Sequence, residues 1–283
     1  MIDLDDFESY IAGWDSLLAW VEQLPSHNRI QDRAFELTRR AAVVRQREAL
    51  AAMISMSRAR HGAFAVTLLR PAFEELVWIE YLNRHADVAD EILQLQLRDS
   101  VAASLEAQRD YAGPKGMLAS GIPNRFAKRT IARRPDTQKA LEALGAKLGW
   151  DGKKRRSPTF RFLCVAVGRT KEYEFLYHGT SRSVHFSVVE LWRRAWGESN
   201  EVTISTGHFA RYWQDFALYW GSYIFFQTLC ACEGDLTGSI EAERFDEMLA
   251  VIERHLREVP IITGAELNLD TQSIDVEADL LAG

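Results

Sequence analysis

Residues 207–232 carry Phe209, Tyr212, Trp213, Phe216, Trp220, Tyr223, Phe226 and Cys230 at steps of three and four. That spacing lays one aromatic stripe along an α-helix; a strand would instead alternate faces every second residue. A stripe this wide has to be covered, so it predicts a helix buried in a core or across a two-fold interface. Arg211, Gln214, Asp215 and Gln227 interrupt it and leave no uncharged apolar run of about 20 residues, which argues against a membrane span.

The same period recurs along the chain. It predicts helices over residues 5–24, ended by Pro25, over about 28–60, over 63–85 and over 87–111, where Gly113-Pro114 stops the pattern. Ser157-Pro158 reads as the cap and first turn of a helix through Phe160, Leu163 and Val167. Further helices are expected at 174–187, 189–196 and 241–259, with an isolated extended stretch at 200–205. No sustained alternation is present. The expected fold is therefore all-α, a bundle of about seven to eight long helices forming one domain over residues 1–283.

Charge is distributed unevenly. The chain carries a net charge of -6, yet residues 113–171 hold fifteen Lys or Arg against three acids. Residues 113–157 read as a basic, loop-rich insertion with one short helix at 135–148 and too few large apolar residues for a core of its own. Lys128, Arg129, Arg133, Arg134, Lys153, Lys154, Arg155 and Arg156 are its candidate phosphate contacts, and Phe126, Trp150 and Phe160 offer rings on which bases stack. The plainer reading is a solvated loop. Residues 260–283 form an acidic tail with five acids and no Lys or Arg.

Cys164, Cys230 and Cys232 are too few and too oddly spaced for a disulfide framework or a zinc knuckle, so reduced, buried thiols are expected. The start, Met-Ile-Asp-Leu-Asp-Asp, is acidic where a signal peptide is basic, which predicts a cytoplasmic protein. Phosphate-binding and dinucleotide-binding glycine loops, Glu-x-x-His pairs and His-Glu-x-x-His are all missing from the sequence. No cofactor is implied.

Two stretches concentrate polar side chains. Wound as a helix, residues 174–187 bring Glu174, His178, Ser181, Arg182 and His185 to one face, beside a stripe of Tyr173, Tyr177, Val184 and Val188. Gly179 weakens such a helix by about 1 kcal/mol relative to Ala, and marks either a close backbone approach or a break. In residues 63–85, Arg70, Glu74, Val77, Tyr81 and His85 share a side, and Pro71 removes the amide that would bond back to Thr67. A charge on an otherwise apolar face needs an opposite partner once buried, so the two stripes are expected to pack together. Glu74 would pair with Arg70 or Arg182, and His185 would reach Glu74, Tyr177 or Ser181. His178, His185 and Glu74 or Glu75 could also hold a metal, although nothing in the spacing asks for one.

Leu69-Arg70-Pro71-Ala72-Phe73-Glu74, followed by Tyr177-x-x-x-Ser181-x-x-x-His185, resembles the two signature segments of domain of unknown function 5677, an uncharacterised family of helical bacterial proteins. The resemblance implies that Arg70, Glu74, Tyr177, Ser181 and His185 recur as a set, and it supplies no activity. More distantly the arrangement looks like the HEPN superfamily, many of whose members are metal-independent ribonucleases of prokaryotic defence and toxin systems. Their motif is an Arg followed four to six residues later by His, whereas here Arg182 precedes His185 by three positions.

Two functions compete at this level. One is a ribonuclease in which His185 moves a proton while Arg182 or Arg70 stabilises charge on phosphate. The other is a non-catalytic module that binds RNA, single-stranded DNA or an acidic partner and assembles as a homo-oligomer through its aromatic helix. A third, blander reading makes Arg70, Glu74 and His185 a buried network that fixes helix register.

Overall fold

The computed structural model describes residues 33–185, 187–196, 202–205 and 207–232, with isolated positions 12, 15, 19, 250, 259, 261 and 262. Apart from those isolated positions, the helices expected at 5–24 and 241–259 and the acidic tail lie outside the described residues. What is described is almost entirely helical: α1 Ala34–Arg58, α2 Leu69–Arg84, α3 Ala89–Ala119, α4 Asn124–Ala132, α5 Arg134–Lys147, α6 Phe160–Val167, α7 Thr170–Val184, α8 Val188–Trp192 and α9 Ala210–Ala231. The extended stretch near residue 203 pairs as β2 (Thr203–Ile204) with β1 (Ala195–Trp196), an antiparallel ribbon two residues long. The helix expected at 189–196 therefore stops at Trp192, and its last residues become a strand.

The aromatic helix sits in the core. Trp213, Phe216, Trp220 and Ile224 of α9 are buried in one cluster with Met53 of α1 and Leu69, Phe73 and Leu76 of α2, whereas Tyr223 and Phe226 of the expected stripe are half-buried and Cys230, expected buried, is exposed. Close approach there depends on glycine: a Cβ on Gly62 would come within 2.6 Å of the Gln214 backbone nitrogen.

Several boundaries differ from those the periodicity predicts. The segment expected as one helix over 63–85 is a single turn (Gly62–Ala65), a 3-10 turn (Val66–Leu68) and then α2. Pro71 falls in the first turn of α2, where an amide has no helical acceptor, so it costs nothing there. The cap of α6 is Thr159, whose hydroxyl accepts from the Phe162 amide at 3.2 Å while Asp151 accepts from Thr159. At Gly113, φ 66° and ψ 177° break the helical path where Gly113-Pro114 was expected to stop it, and a second helical stretch carries α3 on to Ala119.

The insertion is more helical than its composition suggests. Alongside α5 it contains α4, and both pack on α3. Its anchor is Trp150, fully buried, whose indole donates to the Tyr81 hydroxyl of α2 at 2.9 Å. Leu105, Met117 and Ala127 close a small satellite core beneath α4.

The central cross-tie is Arg169, the residue before α7, only 9 % exposed. Its guanidinium donates twice to the Glu80 carboxylate, at 2.6 Å each, and also to Gln227 at 2.8 Å and Tyr223 at 3.3 Å. Burial works against its charge, but the bonds and charge of Glu80, with Tyr223, outweigh it and hold the guanidinium above its ordinary pKa. Three helices, α2, α7 and α9, thus meet on one cation. We predict that Arg169→Met destabilises the protein by about 3 kcal/mol or more, because Glu80 is left as an uncompensated carboxylate, and that adding Glu80→Gln recovers part of the loss. Urea unfolding of the four-member cycle measures this, and single-variant losses below about 1 kcal/mol would show the pair to be dispensable.

Candidate functional site

Arg169 sets where α7 begins, and the inner face of α7 sets how it is rotated. Leu176, Gly179 and Thr180 are buried. A Cβ on Gly179 would stand 3.2 Å from the Phe216 ring and 3.5 Å from Ile261, so this glycine serves close packing against α9 and the helix runs through it unbroken. With that face inward, Tyr177, Ser181 and His185, four residues apart, form the stripe that meets the N-terminal turn of α2.

Arg70 is the meeting point. Its Nε donates to Glu74 Oε1 at 3.1 Å along α2, its Nη1 lies 3.3 Å from His185 Nε2, and its Cζ sits 4.7 Å from the centroid of the Tyr177 ring. Tyr177 is held by a chain of rings, Tyr177 to Tyr173 at 5.2 Å, Tyr173 to Phe160 at 5.6 Å and Phe160 to Phe73 at 5.6 Å. A guanidinium over such a face gains about 0.5–1 kcal/mol at an exposed site. The cation is thereby fixed in orientation as well as in charge.

The two polar stripes do pack together, with a change of partner. Glu74 pairs with Arg70, and His185 faces that same guanidinium instead of a carboxylate, Tyr177 or the Ser181 side chain; its tie to Ser181 runs through the backbone, amide to carbonyl at 3.0 Å. Arg has no acceptor, so a hydrogen bond across this contact requires the tautomer in which His185 Nε2 accepts. His185 also lies just past the helix, its ψ of 165° ending α7 and releasing the imidazole toward solvent. Arg182 does not serve it: Arg182 Nη2 is 2.8 Å from His178 Nε2, an i, i+4 contact within α7. Tyr81, grouped with Arg70 and Glu74 by periodicity, faces Trp150 instead.

On three consecutive residues of α7, Ser181 Oγ, Arg182 Nη1 and Ser183 Oγ are buried without a partner among the described residues, and at about 100° per residue they face different sides of the helix. A buried polar atom without a partner costs about 1–3 kcal/mol. Arg and Ser donors suit an oxyanion better than a metal ion. Among the described residues no three His, Cys, Asp or Glu side chains gather as a metal site. Cys164 is inert, its thiol pushed up to about 12 by burial and by the charge of Glu172.

Of the basic candidates, Arg134 and Arg156 are committed internally. Arg134 binds Asp99 at 3.0 Å and Glu106 at 2.6 Å, and Arg156 binds Glu142 at 2.6 Å and Gln138 at 2.6 Å. Lys128, Arg129, Arg133, Lys153, Lys154 and Arg155 point outward. Periodicity gave no sign that Arg98, on the neighbouring face of α3, lines a cleft with Arg129 and Arg133. That cleft shares no residue with the Arg70–His185 centre.

Glu75, adjacent to Glu74, turns to another side of α2. It accepts from Arg45 at 2.6 Å and Gln46 at 3.0 Å at the rim of a groove of about 330 Å³ lined by Trp78, Ile79, Leu82 and Leu93. Burial raises its pKa above the usual 4.5, with Arg45 and Gln46 opposing. A folded pKa above the unfolded one gives a stability contribution that is complete below about 4.5 and is lost as pH climbs through the raised value. Glu75→Gln should therefore gain on the wild type as pH goes from about 4 to about 7. Melting temperatures across that range test it, and a difference that stays flat or moves the other way contradicts it.

A model of the Family of unknown function (DUF5677) matches residues 40–202. No curated protein and no solved structure matches the chain.

Proposed function

This chain belongs to the Family of unknown function (DUF5677), and for its Arg70–His185 centre we propose metal-independent cleavage of RNA. The observation that carries the reading is the contact between Arg70 Nη1 and His185 Nε2 at an accessible surface, a fixed cation next to an imidazole nitrogen free to take a proton. A 2′-hydroxyl replacing Arg70 at Nε2 would give its proton to His185. The O2′–P bond then forms, the P–O5′ bond breaks, and the departing 5′ oxygen takes a proton from water, leaving a 2′,3′-cyclic phosphate. Arg70, still held by Glu74 and Tyr177, would neutralise the charge gathering on the phosphate oxygens.

The pairing of Arg with His is HEPN-like, but here the Arg comes from a neighbouring helix. In such a protein a role in prokaryotic defence or as a toxin follows from unregulated RNA cleavage. Purified protein incubated with labelled single-stranded RNA in chelator should yield cyclic-phosphate ends. His185→Ala and Arg70→Ala should each slow cleavage by about 10²-fold or more while the melting temperature holds. Expression of the wild type, and not of His185→Ala, should arrest growth. An undiminished rate in the folded His185 variant, or a wild type with no cleavage, sinks the proposal.

A further inference from the structure

Between α3 and the helices of the insertion lies a cleft of about 1000 Å³. Phe126, Arg129, Thr130 and Arg133 line one wall, spaced so that one face of α4 and its continuation presents them all. Leu97, Arg98 and Val101 of α3 line the other. Two properties set this cleft apart from an ordinary solvated surface. Phe126 is 57 % exposed and Leu97 64 % exposed, so apolar surface is left open between cations. And Arg98, Arg129 and Arg133 have no ion-pair partner among the described residues, although Asp136 also lines the cleft, whereas Arg134 close by is neutralised twice.

We infer that this cleft binds a single-stranded polynucleotide, one base lying on Phe126 over the Leu97 and Val101 floor, with the flanking phosphates on Arg98, Arg129 and Arg133. Alternating cation and exposed ring is the pattern that a single strand requires, since its charges and its planar faces alternate at that scale. A duplex keeps its bases stacked on one another and would leave Phe126 unused. An acidic peptide would satisfy the three Arg residues but brings no ring to the aromatic and aliphatic floor. The surrounding bias toward Lys and Arg draws a polyanion to this side of a chain that is otherwise acidic. Binding here does not depend on cleavage at His185, because the two sites share no residue.

The test is fluorescence anisotropy with a labelled RNA of about ten nucleotides, at salt from about 50 to about 200 mM, in the His185→Ala background so that cleavage plays no part. Arg129→Ser with Arg133→Ser should weaken binding at least tenfold and flatten the salt slope by about 0.7 for each phosphate no longer neutralised. Phe126→Ala should weaken it about tenfold with the slope unchanged. Lys153→Ser with Lys154→Ser, away from the cleft, should leave most of the affinity. Single-stranded DNA of the same sequence shows whether the 2′-hydroxyl contributes, and equal binding of both fits a site built on phosphate and base. Circular dichroism checks that each variant is folded. Wild-type affinity in the folded Arg129/Arg133 variant overturns the inference, as does an equally tight duplex, or an acidic peptide that binds as tightly through the same residues.

Discussion

Everything near the candidate centre depends on the ion pair between Arg169 and Glu80. A guanidinium that is nearly buried tolerates its desolvation only when its donors are occupied, and here a carboxylate, an amide and a phenol from two helices occupy them. Because those partners belong to α2 and α9, the start of α7 cannot shift without breaking several charge-assisted bonds at once. Arg193 repeats the device at the other end of the same region. It is 4 % exposed, bonded to Glu190 at 3.2 Å and to the Ile261 carbonyl at 2.6 Å, with its Cζ 4.6 Å from the Trp213 ring.

Between these two fixed cations the Arg70 centre is held differently. Its members are partly exposed, and its cation is secured by one carboxylate and one ring. The contrast is physical: the buried arginines bind structure together, and the Arg70 centre meets solvent.

Helicity, the buried aromatic stripe of α9 and the Arg70 to Glu74 pair were legible because they depend on spacing within one segment. The convergence of α2 and α7 was legible because both faces were too polar to be left buried and unpaired. Which atoms would meet was not. Helical angles put His185 on the stripe it occupies, but its partner comes from 115 positions away. Arg169 gave no signal at all, since one Arg among fifteen basic residues looks like surface charge until the fold closes over it. In the insertion, α4 was missed because Ala127 and Ile131 are too sparse to mark a buried face; it is stabilised by a satellite core that α3 completes.

The length of α7 acts as a ruler. It is pinned at Arg169, pressed at Gly179 against Phe216, and read out at His185. Each residue of helix advances about 1.5 Å and turns about 100°. One residue gained or lost between Gly179 and His185 would swing the imidazole a quarter turn off Arg70 while every core contact upstream stayed intact. The spacing from glycine to histidine is therefore a screw thread with a single working setting. Drift in this stretch of the chain can change side chains far more freely than it can change their number.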